Sequence, residues 1–184
     1  MVERHAALVT LALFVTACSS DEGESQAGFE VSARAETSPS EGDPDDTAIW
    51  VHPGDASLSL IVATDKSGGL QLYELDGTLR QDLRDGVMNN VDLRSEVGGA
   101  WAGAAVIASS NRSDDTIDIY TIDASTRMLV RVAAFASDIG EPYGLCMSRM
   151  NDRLFVFIDD KDGMLAQIGR ASCRERVSSL CRSR

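Results

Sequence analysis

From residue 46 onward the chain is a succession of short runs rich in Ile, Val, Leu and Tyr, broken by Gly, Asp and Ser turns, with no sustained helical period. The runs fall into groups: Ala48–Val51, Leu60–Thr64, Leu70–Leu75 and Thr78–Leu83, then Val91–Arg94, Ala105–Ser109, Ile117–Ile122 and Leu129–Ala133. A third group opens with Tyr143–Met147 and Leu154–Ile158. Four short strands per group is the unit of a propeller blade, so the expected fold is an all-β propeller of four-stranded antiparallel blades. A β-sandwich also has short, evenly spaced strands. The recurrence at blade length favours the propeller.

The recurrence is sharpest where the second run of each group ends: Thr64-Asp65-Lys66-Ser67, Ser110-Asn111-Arg112-Ser113 and Asp159-Asp160-Lys161-Asp162. Each places Asp or Asn before a cation. Lys66 and Arg112 are 46 positions apart and Arg112 and Lys161 are 49 apart, within the range of about 40–50 residues known for propeller repeats. Asp76-Gly77 between two runs is a hairpin signal that makes the third and fourth strands of the first group antiparallel neighbours.

By blade equivalence the three cations share one end of the fold. Polar residues collect where the first strands begin: Asp45 and Asp46, Asn90 and Asp92, and Glu141. In a propeller these strands line the axis, so the oxygens would converge there. Two carboxylates about 4 Å apart repel by about 4 kcal/mol at an effective dielectric of 20, and hard oxygen donors in that number suit Ca2+. The plainer reading is turn-capping Asp and Asn residues. A cationic fan beside bound cations would fit a ligand with several phosphates, whereas surface charges paired with Asp65, Asp114 and Asp160 would have no such role.

Charge and composition narrow the partners. A formal charge of -12 argues against nucleic acid, whose phosphates need basic surfaces. Two histidines, His5 and His52, leave no material for a His-built zinc site or a histidine nucleophile. Cys146 is the one cysteine between the leader and residue 168, so no disulfide framework is expected.

Residues 1–17 read as a signal peptide, with an apolar run from Ala6 to Ala17 that is too short to span a bilayer. Val15-Thr16-Ala17-Cys18 resembles a bacterial lipobox, which makes Cys18 the lipidation site and residues 18–34 a polar tether. The expectation is export with a lipid anchor in the bacterial envelope, at the outer membrane in a Gram-negative host, or otherwise secretion. The anchor would be the sole link to a membrane.

The segments DDTAIWV (45–51), ATDKSGGLQLYELDG (63–77), NNVDLR (89–94), SSNRSDDTIDIYTID (109–123) and EPYGL (141–145) resemble the β-propeller phytase family. The resemblance runs from about Ala35 to Gly163, and residues 35–167 are read as the N-terminal part of the propeller domain. It implies a six-bladed propeller, with about two and a half blades in this chain, that hydrolyses phytate as a monomer and uses Ca2+. Carried over by motif, Lys66, Arg112, Tyr143 and Lys161 resemble phosphate-contacting catalytic residues. Glu36, Asp46, Asn90, Asp92 and Asp162 resemble calcium-site residues. Thr47 stands where the family usually has proline, and Asp162 where it usually has glutamate. A non-enzymatic calcium-stabilised propeller that binds a partner and a lactonase-type propeller hydrolase are the rival readings.

After Gln167 the apolar alternation is lost, and Ile168–Val177 matches a translated frame of a sequencing adapter, so residues 168–184 are read as an assembly artefact. The remaining chain would then be the front part of a propeller and inactive alone.

Overall fold

The computed structural model describes residues 30–39, 42–95, 103–150, 153–169 and 177–182; the leader, Cys18 and most of the tether lie outside them. Residues 30–32, in the unit Met1–Ser32, carry no regular structure, and all strands belong to the unit Ala33–Arg184. They are β1 (Pro44–Trp50), β2 (Leu60–Asp65), β3 (Gly69–Glu74), β4 (Leu79–Leu83), β5 (Met88–Arg94), β6 (Ala105–Asn111), β7 (Thr116–Asp123), β8 (Met128–Ala136), β9 (Pro142–Met150), β10 (Arg153–Asp160), β11 (Met164–Gly169) and β12 (Val177–Arg182). Three four-stranded antiparallel sheets result, ordered β1-β2-β3-β4, β5-β6-β7-β8 and β9-β10-β11-β12. This is the all-β, blade-like architecture expected. β3 and β4 are the antiparallel neighbours that Asp76-Gly77 announced.

The sheets stack face to face. Trp50, Leu60, Val62, Leu70 and Leu72 of the first pack with Met88, Val91, Ile107 and Tyr120 of the second. Val106, Ala108, Ile117 and Ile119 of the second pack with Met147, Leu154, Val156 and Ile158 of the third. The middle sheet therefore buries both faces, which is why β6 reads AVIASSN without an exposed position. Each such Leu or Ile contributes about 1.5–3 kcal/mol.

Strand limits differ from expectation at the starts of the first strands and at the C-terminal end. The first strands of the three sheets begin up to four residues earlier than their apolar runs, because each starts with a polar β-bulge. Pro44 to Thr47 lies opposite Asp65 to Ala63, Met88 to Val91 opposite Asn111 to Ser109, and Pro142 to Leu145 opposite Asp160 to Ile158. In every sheet three steps on the first strand face two on the second. The other difference is at the C-terminal end: the β pattern does not stop at Gln167. β11 runs to Gly169, and β12 pairs with it from Met164↔Arg182 to Gly169↔Val177, completing a third sheet where half of one was expected. The free edge of β11 offers unpaired N–H and C=O groups, and an extended segment satisfies them whatever its side chains.

The four-residue marker explains the bulges. Its first residue accepts the bulge amide of its own sheet: Asp46 N–H donates to Thr64 Oγ1 at 2.9 Å, Asn90 N–H to Ser110 Oγ at 3.0 Å and Gly144 N–H to Asp159 Oδ1 at 2.7 Å. In two sheets the same hydroxyl donates onward to the next bulge, Thr64 to Asn89 O at 2.8 Å and Ser110 to Tyr143 O at 3.0 Å. The second residue closes the turn by accepting an amide two positions on. Ser67 N–H donates to Asp65 at 2.7 Å, Ser113 N–H to Asn111 at 2.9 Å and Asp162 N–H to Asp160 at 2.9 Å.

Thr64 is fully buried and serves as donor and acceptor at once. Thr64→Val keeps its shape and strands both partners, so unfolding in urea should show a loss of about 2 kcal/mol. Thr64→Ser, which keeps the hydroxyl, should stay within about 1 kcal/mol of the parent.

Candidate functional site

The bulges and the marker turns lie at the same end of the three sheets. There Lys66, Arg112 and Lys161 each follow the turn-closing residue of the marker, and backbone bonds fix two of them, Lys66 N–H to Asp43 O at 3.0 Å and Arg112 N–H to Val87 O at 2.9 Å. Tyr143, a bulge residue of the third sheet, stands against two of the cations. Its ring centroid is 5.0 Å from Lys161 Nζ and 6.0 Å from Arg112 Cζ, both cation–π distances. Lys66 donates to Asp45 Oδ1 at 2.7 Å. That bond holds the Lys66 ammonium above the usual lysine range; desolvation partly opposes it, and the charges of Asp45 and Asp43 add to it.

One carboxylate joins the other two cations: Glu141 Oε1 pairs with Arg112 Nη2 and lies 3.6 Å from Lys161 Nζ. The guanidinium is held by one edge, and its buried Nε–H has no partner among the described residues. The arrangement is a set of three positive groups from equivalent turns of three successive sheets, two of them against one phenol, which can bind several anionic oxygens at once.

The residues expected for calcium are not gathered in the same way. Asp46 and Asn90 meet: Asp46 Oδ2 accepts from Asn90 Nδ2 at 3.0 Å and from Val91 N–H at 3.1 Å. Asp92 uses Oδ1 for Arg94 at 2.6 Å and Oδ2 for the amide of Met147 at 2.7 Å. Asp162 is exposed beside Lys161. Glu36 is at the opposite end of the first sheet, where its carbonyl lies so close to Gly77 of the β3–β4 turn (φ +88°) that an added Cβ would come within 2.3 Å. Among the described residues no three Asp, Glu, His or Cys come together. The donors are of the right type for calcium, yet too few to supply its six to eight oxygens. Asn89 Oδ1, buried and without a partner among the described residues, is a further oxygen at this end.

Several positions here carried no signal of their own in the sequence. Asn89 bonds Tyr143 O through Nδ2 at 3.1 Å, across two sheets. Gly144 is glycine because an added Cβ would come within 2.7 Å of the Asp159 carboxylate. At the other end Gln81 grips the backbone of Leu129, donating to its carbonyl at 3.1 Å and accepting its amide at 2.9 Å. The signal that could have found the hydroxyls is the marker's first position, Thr64 and Ser110.

Residues 1–170 match the protein family described as Phytase. A curated relative, 3-phytase of Bacillus subtilis (strain 168), is 32% identical over 178 residues, covering 91% of this chain and 47% of the relative. The chain thus spans about half the length of that relative.

The Asp45 bond makes a titration prediction. Since Asp45 favours the charged form of Lys66, Asp45→Asn should lower the Lys66 pKa. NMR titration of the Lys66 side chain should show deprotonation beginning at lower pH in the variant than in the parent.

Proposed function

The chain belongs to the phytase family, and on that premise we propose that the whole protein is a phosphomonoesterase that hydrolyses phytate to lower inositol phosphates and phosphate. What supports this reading beyond family membership is the set of Lys66, Arg112 and Lys161 at equivalent turns of three sheets, with Arg112 and Lys161 against the Tyr143 ring. A lactonase has no need of it, and a partner-binding propeller does not require it.

In the proposed reaction, water attacks phosphorus, the bond from phosphorus to the inositol oxygen breaks, and that oxygen takes a proton as it leaves. Charge is spread over the transferring phosphoryl oxygens, so catalysis rests on positioning and on fixed positive groups. Arg112 offers planar donors to phosphate, while Lys66 and Lys161 act as point charges whose places are set by the marker turns. Tyr143 holds the two nearest cations against its ring and presents its hydroxyl to the ligand. In the whole protein Asp46 and Asn90 would offer oxygens to calcium together with donors beyond the described residues, and the ion would supply positive charge to the phosphate oxygens. Export by the leader, acylation of Cys18 and a monomeric state belong to the same reading. Activity is proposed for the whole protein, and not for these 184 residues alone.

The test is phosphate release from phytate by a full-length version, with calcium and with a chelator. Release that the chelator abolishes is the expected result. Lys66, Arg112 and Lys161 changed together to Ala should reduce release by at least 100-fold, roughly the effect of losing more than one electrostatic stabiliser. Full activity in that triple variant would sink the proposal.

A further inference from the structure

We propose that Glu141 is an internal counter-anion that occupies the seat of a substrate phosphate between Arg112 and Lys161, so that a ligand must displace it to bind. This rests on the phosphate-binding reading above and adds a residue that decides how anionic an incoming ligand must be.

The geometry is that of a stand-in. A single oxygen, Oε1, serves both cations, and those cations flank the same Tyr143 ring. Glu141 belongs to the third sheet's edge of the site and Arg112 to the second, so the carboxylate bridges two sheets where a ligand would also have to bridge them. Its direction is set by Pro142, which opens β9 and restricts the residue before it to extended conformations. The corresponding positions in the other sheets are Asp43 and Val87, each preceding the residue that pairs with the marker's second position. Val87 has no charge. In the first sheet the direct partner of Lys66 is Asp45.

The hold is replaceable. Glu141 and Lys161 are 44% and 52% exposed at their side chains, and an ion pair so open to water is weak, while Arg112, at 23%, is the more sheltered partner. Glu141 reaches Arg112 by one edge and leaves Nε–H unpaired. A phosphate monoester has three terminal oxygens and can address each cation separately, with a bidentate contact to the guanidinium. A ligand with a single negative charge gains little by exchanging with a carboxylate of equal charge. Phosphate dianions, and more so several on one ring, gain from the exchange.

The experiment is calorimetric titration of a full-length version of the protein, and of the same protein carrying Glu141→Gln, with inorganic phosphate. The variant should bind inorganic phosphate roughly five-fold more tightly, the weight of one or two exposed ion pairs removed as competitor. Adding Arg112→Ala to Glu141→Gln should cancel the gain. Glu141→Ser, which removes both charge and reach, should give the same sign and serves if the amide variant does not fold. Equal or weaker phosphate binding in the folded Glu141 variants, with binding retained by the parent, overturns the proposal alone. Absence of binding in parent and variants overturns the phosphate reading of the site along with it.

Discussion

The hydroxyls of Thr64 and Ser110 make the contact on which the architecture turns. Each lies fully buried between two sheets and has one acceptor duty and one donor duty. The acceptor duty holds the bulge of its own sheet, and the donor duty holds the carbonyl of the next. A buried amide or carbonyl without a partner costs about 1–3 kcal/mol, so the hydroxyl satisfies two such groups while spacing the sheets. Apolar packing brings the sheets together without choosing a register. These directional bonds choose it.

The positions of the cations follow from the same four residues. A bulge bends the first strand and re-aims its side chains, and the adjacent turn, closed by Asp65, Asn111 or Asp160, sets the next residue at the rim. Repetition of this unit in three stacked sheets puts three positive groups side by side, an arrangement that is electrostatically unfavourable by itself. Asp45 and Glu141 offset it locally. At the far end Gln81 imitates a strand partner for Leu129, and Glu74 pairs with both Arg80 and Arg127, so the first two sheets are tied at both ends.

Much of this was legible in the residues. The apolar runs located ten strands, and the spacing of Lys66, Arg112 and Lys161 put them in equivalent places, because strand period and repeat length are local properties of sequence. The bulges were not legible: Asp45-Asp46 and Asn89-Asn90 lie outside the apolar runs, and they join the strands as bulges because hydroxyls from a neighbouring strand capture the amides of Asp46 and Asn90. Glu36 could not be located by reading along the chain, since its place at the Gly77 turn depends on a long-range contact. The pairing of Val177–Arg182 with β11 was equally hidden, because backbone edges attract extended segments without regard to apolar alternation. Asp46 and Asn90 were visible as members of one polar set in the sequence, but the contact between them depends on how the first two sheets stack.

The third sheet departs from the first two at one atom. Where Thr64 and Ser110 have a hydroxyl, Asp159 has a carboxylate, which accepts the amide of Gly144 and has no proton to pass on when ionised. The relay of hydroxyl to carbonyl is therefore directional and ends at Asp159. A further sheet stacked on that face could not present a bare carbonyl there, since two oxygens would meet; it would have to bring an N–H, a cationic side chain or a bound cation. The grammar that makes the first two junctions interchangeable thus makes the third one selective for what it will accept.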